Sequence, residues 1–233
     1  MVFPIGDDQV RGGAFPIFSY AFIAINVLIF LFQSTLAGPE LENFIMEYGS
    51  IPAETTTGQD YFTLFTSMFL HGGWMHLIGN MLFLWVFADN IEQIIGNIHF
   101  VLFYIVGGLA AHAAHIYFNW NSEIPTVGAS GAISAVLGAY LVMFPASKIK
   151  ILVLLFFRSF RVPALLFLGF WIAQQLFSGF ASLGPATAET AGVAWWAHIG
   201  GFAFGVVAGF VYKGLMKDKI DTMFHQNERP ELV

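Results

Sequence analysis

Residues 190–212 read TAGVAWWAHIGGFAFGVVAGFVY and contain no Asp, Glu, Lys or Arg. A helix crosses the hydrocarbon core of a bilayer in roughly 20 apolar residues, so this stretch is long enough to span. The windows 12–39, 61–88, 93–122, 124–147 and 162–188 are equally free of charge and equally long. None alternates like a barrel strand, and in lipid only helices and closed barrels satisfy every backbone polar group. The chain is therefore read as an all-α membrane protein. Six transmembrane helices are expected near 17–36, 74–91, 99–118, 129–145, 163–180 and 195–213. That divides it into a segment 1–16, a membrane domain 17–213 and a tail 214–233.

Composition agrees. Of 233 residues, 57% are hydrophobic and 10% charged, and mean hydropathy is +0.71. A soluble domain carries about 25% charged residues, so a soluble enzyme is excluded. Disorder is excluded by 27 Phe and 6 Trp, which would collapse. With no Cys there is no disulfide, thiolate metal site or cysteine nucleophile. Net charge is −6, which gives no basic patch for nucleic acid. No cofactor is expected.

The basic residues give the direction. Arg11 precedes the first span, Lys148, Lys150, Arg158 and Arg161 lie between the fourth and fifth, and Lys213, Lys217, Lys219 and Arg229 follow the sixth. Six spans put all of them on one side, so both termini are expected to be cytoplasmic. The second, fourth and sixth spans then start at the outer face. The run Ile151 to Phe157 is too short to span and is expected as an interfacial loop. The first outer loop, 37–73, is long enough to have structure of its own. Loop 181–194 is small-residue-rich and expected to be mobile.

Polar residues inside spans are costly and mark function by default. Three clusters start the three outer-entering spans: His71-Gly-Gly-Trp-Met-His76-Leu-Ile-Gly-Asn80, Gly128-Ala-Ser130-Gly131-Ala-Ile-Ser134 and Ala197-His198-Ile-Gly200-Gly201. Singly, each has a bland reading as interhelical hydrogen bonding or packing. Their shared depth changes that. Gly201, Gly205 and Gly209 form a small-residue face on the sixth span, and Ser130, Ser134 and Gly138 form one on the fourth. Docking these faces puts the Ser130 hydroxyl near the His198 imidazole. A serine becomes a useful nucleophile when a base takes its proton, and neutral imidazole suits that task. His76, Asn80 and the Ser130 backbone N–H can supply donors for the resulting oxyanion.

HGGWMHLIGNM (71–81), DNIEQIIG (89–96), GASGAISAVLGAY (128–140) and AHIGGFAFGVVAGF (197–210) together resemble the rhomboid family of intramembrane serine proteases. The resemblance covers about residues 61–213. It implies Ser130 as nucleophile and His198 as general base, with His76, Asn80 and Gly128 stabilising the oxyanion. Gly131, Gly201, Gly205 and Glu92 are implied as structural supports, Glu92 by bracing the inner end of the second span. The implied partners are transmembrane protein substrates and the lipid bilayer, and the implied location is the inner membrane of a bacterial cell. The fifth span and loop 181–194 are the implied gate and lid. Some members carry Tyr one turn after the serine, packed on the histidine. Here Ser134 stands instead, leaving Trp195 and Trp196 as candidates to orient His198. No acidic residue lies in an outer helical half near His198, so a Ser–His dyad is expected rather than a triad.

The other readings are an inactive relative that binds membrane clients and a small channel or transporter lined by His76, His112, His115 and His198. The first should lack the serine or the histidine. The second needs polar residues continuing to the inner face. His112 and His115 are read as structural, His71 as lying just above the site, and His99 and His225 as solvated.

Overall fold

The computed structural model describes residues 2–10, 12–184 and 193–225. The chain opens with strand β1 (Val2–Gly6) and helix α1 (Ile17–Gln33). Short helices α2 (Pro39–Tyr48), α3 (Pro52–Thr56) and α4 (Thr63–Thr66) and a 3-10 turn (Ser67–Phe69) follow. Next come α5 (Trp74–Ile95), α6 (Asn97–Phe118) and α7 (Ser130–Met143). A hairpin of β2 (Lys148–Val153) and β3 (Arg158–Pro163) leads to α8 (Ala164–Ala181), α9 (Trp195–Leu215) and α10 (Lys217–His225). The long helices begin and end within about a turn of the sequence expectation. Arg11, residues 185–192 of the expected lid loop and tail residues 226–233 lie outside the described residues.

The architecture is a helical membrane bundle. By length and composition α6, α8 and α9 can cross a bilayer, and α1 and α7 are shorter apolar helices. Helix α5 has 22 residues but carries Asp89, Asn90 and Glu92 in its last turns.

Helix α7 is the axis. Every residue from Gly131 to Tyr140 is buried, so all its sides must accept neighbours. Small residues permit this. A Cβ on Gly205 would overlap the carbonyl oxygen of Ala135, and one on Gly201 that of Gly131. Likewise, a Cβ on Gly138 would strike the backbone of Phe202. Helices α7 and α9 therefore meet backbone to backbone, as small-residue membrane interfaces do. At 14 residues α7 is roughly 21 Å long, against a hydrocarbon core of about 30 Å. Ser130 is the first residue of this short helix.

One end of the bundle carries a feature the local pattern did not suggest. Ile151–Val153 belong to β2, which pairs antiparallel with β3 and, on its other edge, with β1. The expected interfacial loop is therefore a hairpin completed by the first residues of the chain. The exposed Leu155, Phe156 and Phe157 lie at its turn. Described residues of the N-terminal segment 1–16 pack onto this end too. The Val10 N–H donates to Asn90 Oδ1 (2.8 Å), Asn90 Nδ2 donates to Asp7 (2.6 Å), and the Tyr140 hydroxyl bonds the same Asp7 oxygen. Beside them, Glu92 is fully buried and accepts from the Phe18 N–H (2.9 Å), the Ser19 N–H (2.7 Å) and the Ser19 hydroxyl (2.7 Å). These are first-turn groups of α1 without intrahelical partners, so Glu92 caps that helix from α5. Two lysines finish the opposite kind of end: Lys213 donates to the Val142 carbonyl (2.8 Å) and Lys219 to that of Ile94 (2.6 Å).

Candidate active site

Three helix starts surround a cavity of about 830 Å³ at the bundle end away from the sheet. It is lined by His76 and Asn80 from α5, Ser130 from α7, and Trp195 and His198 from α9. Ser130 is the first residue of α7, so its N–H lies in a turn where helical amides lack helical acceptors. His198 Nε2 lies 2.9 Å from Ser130 Oγ. The close α7–α9 approach makes that distance possible, because Gly201 and Gly205 flank the histidine's own face of α9. Ser134 does not reach the imidazole; its hydroxyl donates back to the Ser130 carbonyl at 2.6 Å.

Beside the pair lies a hollow shaped by Gly128. That residue has φ +129°, a backbone region open to glycine. A Cβ there would meet the His76 ring at 2.8 Å and stand 3.6 Å from Asn80 Nδ2. Glycine thus keeps free the space into which both side chains point. The Gly128 N–H donates to the Ser67 carbonyl at 2.8 Å, which pins the loop. A carbonyl oxygen placed in the hollow would meet polar donors on one side and the start of α7 on the other.

His71, expected just above the site, is fully buried. Its Nε2 is 3.0 Å from Asn80 Nδ2, and its ring lies edge-on to His76 at 5.1 Å. Gln33 at the end of α1 grips the His71 backbone from both sides, donating to its carbonyl (2.6 Å) and accepting from its N–H (3.2 Å). Burial lowers the His71 imidazole to about 4, so it stands neutral beside Asn80 at physiological pH. The His76 Nδ1 accepts from the Gly72 N–H at 3.3 Å. That arrangement leaves a proton on Nε2, available to donate.

The hydrogen-bond partner at the second ring nitrogen of His198 is neither Trp195 nor Trp196. Trp196 stacks on Phe118 at 3.5 Å. Trp195 stands edge-on to the imidazole with centroids 6.3 Å apart, and Trp171 lies 5.9 Å away. At the second ring nitrogen stands Gln175 of α8, its Oε1 2.8 Å from Nδ1. The signal for Gln175 was an uncharged amide inside an apolar window, which a survey of charged residues passes over.

His112 and His115 do not face each other's ligands. His112 Nε2 bonds the Ser67 hydroxyl at 2.8 Å, and His115 Nε2 bonds Thr126 Oγ1 at 3.0 Å. Both tie loops to α6. His99 is exposed.

Comparison with known proteins follows the same motifs. A sequence model of the family described as "Rhomboid domain" matches residues 58–214. Rhomboid protease GluP of Bacillus subtilis is 32% identical over 54% of this chain and 24% of its own length. Rhomboid protein 1, mitochondrial, of Saccharomyces cerevisiae is 28% identical over 86% of this chain and 55% of its own. RHOMBOID-like protein 4 of Arabidopsis thaliana is 32% identical over 78% of this chain and 43% of its own. The matches thus span between about a quarter and about half of the length of these relatives.

Proposed function

This chain belongs to the rhomboid family, and on that premise we propose that it is a serine endopeptidase that cleaves membrane-protein substrates within the bilayer. The observation that carries the reading is the 2.9 Å contact between Ser130 Oγ and His198 Nε2. In this reading His198 takes the hydroxyl proton as Ser130 attacks the scissile carbonyl. Negative charge then develops on the carbonyl oxygen in the hollow beside Gly128. His76 Nε2–H, the Asn80 amide and the Ser130 N–H are the donors aimed there. His198 returns the proton to the leaving amine, and a water activated by the same base releases the acyl-enzyme.

Water is the physical obstacle for hydrolysis in lipid. In this reading the cavity above Ser130 answers it, because it opens toward one membrane face and can be wet. A substrate helix also shields its peptide bonds with its own hydrogen bonds. Substrates with Gly or Pro near the scissile bond, which lower local helix stability, are therefore favoured.

The same proposal includes six spans, with domain limits 17–213, both termini cytoplasmic and the cavity facing outward. It sets the protein in a bacterial cell membrane; GluP and YdcA of Bacillus subtilis are among its relatives. The channel reading needs polar continuity through the bundle. Asp89, Asn90 and Glu92 are polar at the sheet end, but Leu84, Phe87 and Ala88, all fully buried, separate them on α5 from the cavity residues.

The test is labelling of purified protein by a fluorophosphonate, with cleavage of a transmembrane reporter measured alongside. One adduct at Ser130 is expected, lost together with cleavage in Ser130→Ala. Absence of both labelling and cleavage in the folded native chain would favour a client-binding relative without activity.

A further inference from the structure

Helix α8 faces lipid along most of its length, and its buried residues are Ala164, Leu168, Gln175 and Gly179. Three of these are apolar or have no side chain. The fourth is an amide only 4% exposed. Burying an amide in an apolar setting is costly unless it is hydrogen-bonded, and Gln175 meets His198 Nδ1 at 2.8 Å. Trp171, Gln175 and Gly179 recur every four residues, so they share one face of α8. Gly179 brings that face close: a Cβ there would meet the Ile199 side chain at 2.8 Å and Trp195 Cβ at 3.7 Å. Trp171 lies beside the imidazole on the same face.

We propose that Gln175 is the positioning residue for His198, holding the imidazole in the tautomer that can act as base toward Ser130. This rests on the serine-protease reading above. A neutral imidazole has one N–H and one lone pair. Gln175 Oε1 can only accept, so it places the proton on Nδ1 and the lone pair on Nε2, which faces Ser130 Oγ. The opposite tautomer would point an N–H at the serine and could not take its proton. As Nε2 gains the serine proton, the Nδ1–H bond to Gln175 persists and keeps the ring from rotating. Among the described residues the ring nitrogens bond only Gln175 and Ser130. The amide thus fills the place an acidic residue holds in a triad, without adding a charge. Base orientation therefore depends on α8 being docked on α9.

The experiment compares native protein, Gln175→Leu and Gln175→Glu for fluorophosphonate labelling, kcat, KM and the pH profile of reporter cleavage. Gln175→Leu is close in size and cannot accept. It should lower kcat by about tenfold or more at little-changed KM, since a misoriented base is a loss realised at the chemical step. Gln175→Glu restores an acceptor and should recover turnover at high pH. A carboxylate also favours protonated imidazole, so the acid limb of kcat/KM should move to higher pH. Native kcat in folded Gln175→Leu, or an acid limb unmoved in Gln175→Glu, overturns the proposal. Should Gln175→Leu fail to fold, the Gln175→Glu profile decides alone. Native protein that neither labels nor cleaves would instead remove the protease reading itself.

Discussion

Gly205 on α9 lies against the carbonyl oxygen of Ala135 on α7, closer than any side chain would allow. This contact is the hinge of the candidate site. It sets the separation of two helices whose first turns hold Ser130 and His198, residues 68 apart in sequence.

Gly205→Leu should push the helices apart and draw the imidazole away from the hydroxyl. A displacement of about 1 Å can cost roughly 100-fold in rate, and a loss of that order or greater is expected. Val207 on the same helix is 65% exposed and faces lipid, so Val207→Leu should cleave reporter at nearly the native rate. Comparable rates in the two variants would show that this interface does not position the pair.

The hollow beside Gly128 separates binding from bonding. If His76 and Asn80 hold the oxyanion, Asn80→Ala and His76→Ala should lower kcat and leave KM nearly unchanged. Loss of one such donor costs roughly 100- to 1,000-fold in a soluble serine protease. A smaller loss is expected here, because the remaining side chain and the Ser130 N–H persist. Asn80→Ala also strips His71 of its Nε2 partner, so its melting temperature should fall further than that of His76→Ala. Unchanged turnover with lowered melting temperature in both variants would make them structural.

Features carried by local pattern were legible in the sequence. Charge-free windows marked the long helices, and spaced glycines on 201, 205 and 209 marked the face that meets α7. Features made by contacts between distant segments were not. The motif places Glu92 at the inner end of the second span, but does not reveal that its bonds go to Ser19, 73 residues away. The pairing of Ile151–Val153 with β1 joins a hairpin to a strand about 150 residues earlier in the chain. Gln175 carries no charge and sits in an ordinary apolar helix, so only the meeting of α8 with α9 gives it a partner.

Glu92 offers a stability test free of the catalytic chemistry. Its carboxylate satisfies two backbone N–H groups and a hydroxyl at the start of α1, all within the buried sheet end. Glu92→Ala leaves those donors orphaned at about 1–3 kcal/mol each. A large drop in thermal unfolding temperature in detergent is expected, with Glu92→Gln intermediate because its amide keeps one acceptor. An unfolding temperature for Glu92→Ala within a degree or two of native would show that water replaces the cap.

The N-terminal segment should respond to pH through Asp7. Withdrawal from water pushes its carboxyl from 3.8 up to about 8, partly offset by the Tyr140 hydroxyl bond and reinforced by nearby Asp89 and Asp8, with Gln9 also bonded to it. A carboxyl raised in the folded state binds its proton more tightly there than in the released segment. Docking therefore has its full strength below about pH 4 as far as this group is concerned, and weakens steadily as pH rises toward 8. Amide hydrogen exchange at Val10, whose N–H is held by Asn90, reports the docking directly. Protection, corrected for intrinsic exchange, should fall between pH 5 and 8 by more than that of buried α7 amides. Asp7→Asn keeps a polar group of the same shape and cannot ionise, so its protection should stay level across this range and exceed the native value at pH 8. A native profile as flat as that of Asp7→Asn would mean that Asp7 ionises without loosening the segment.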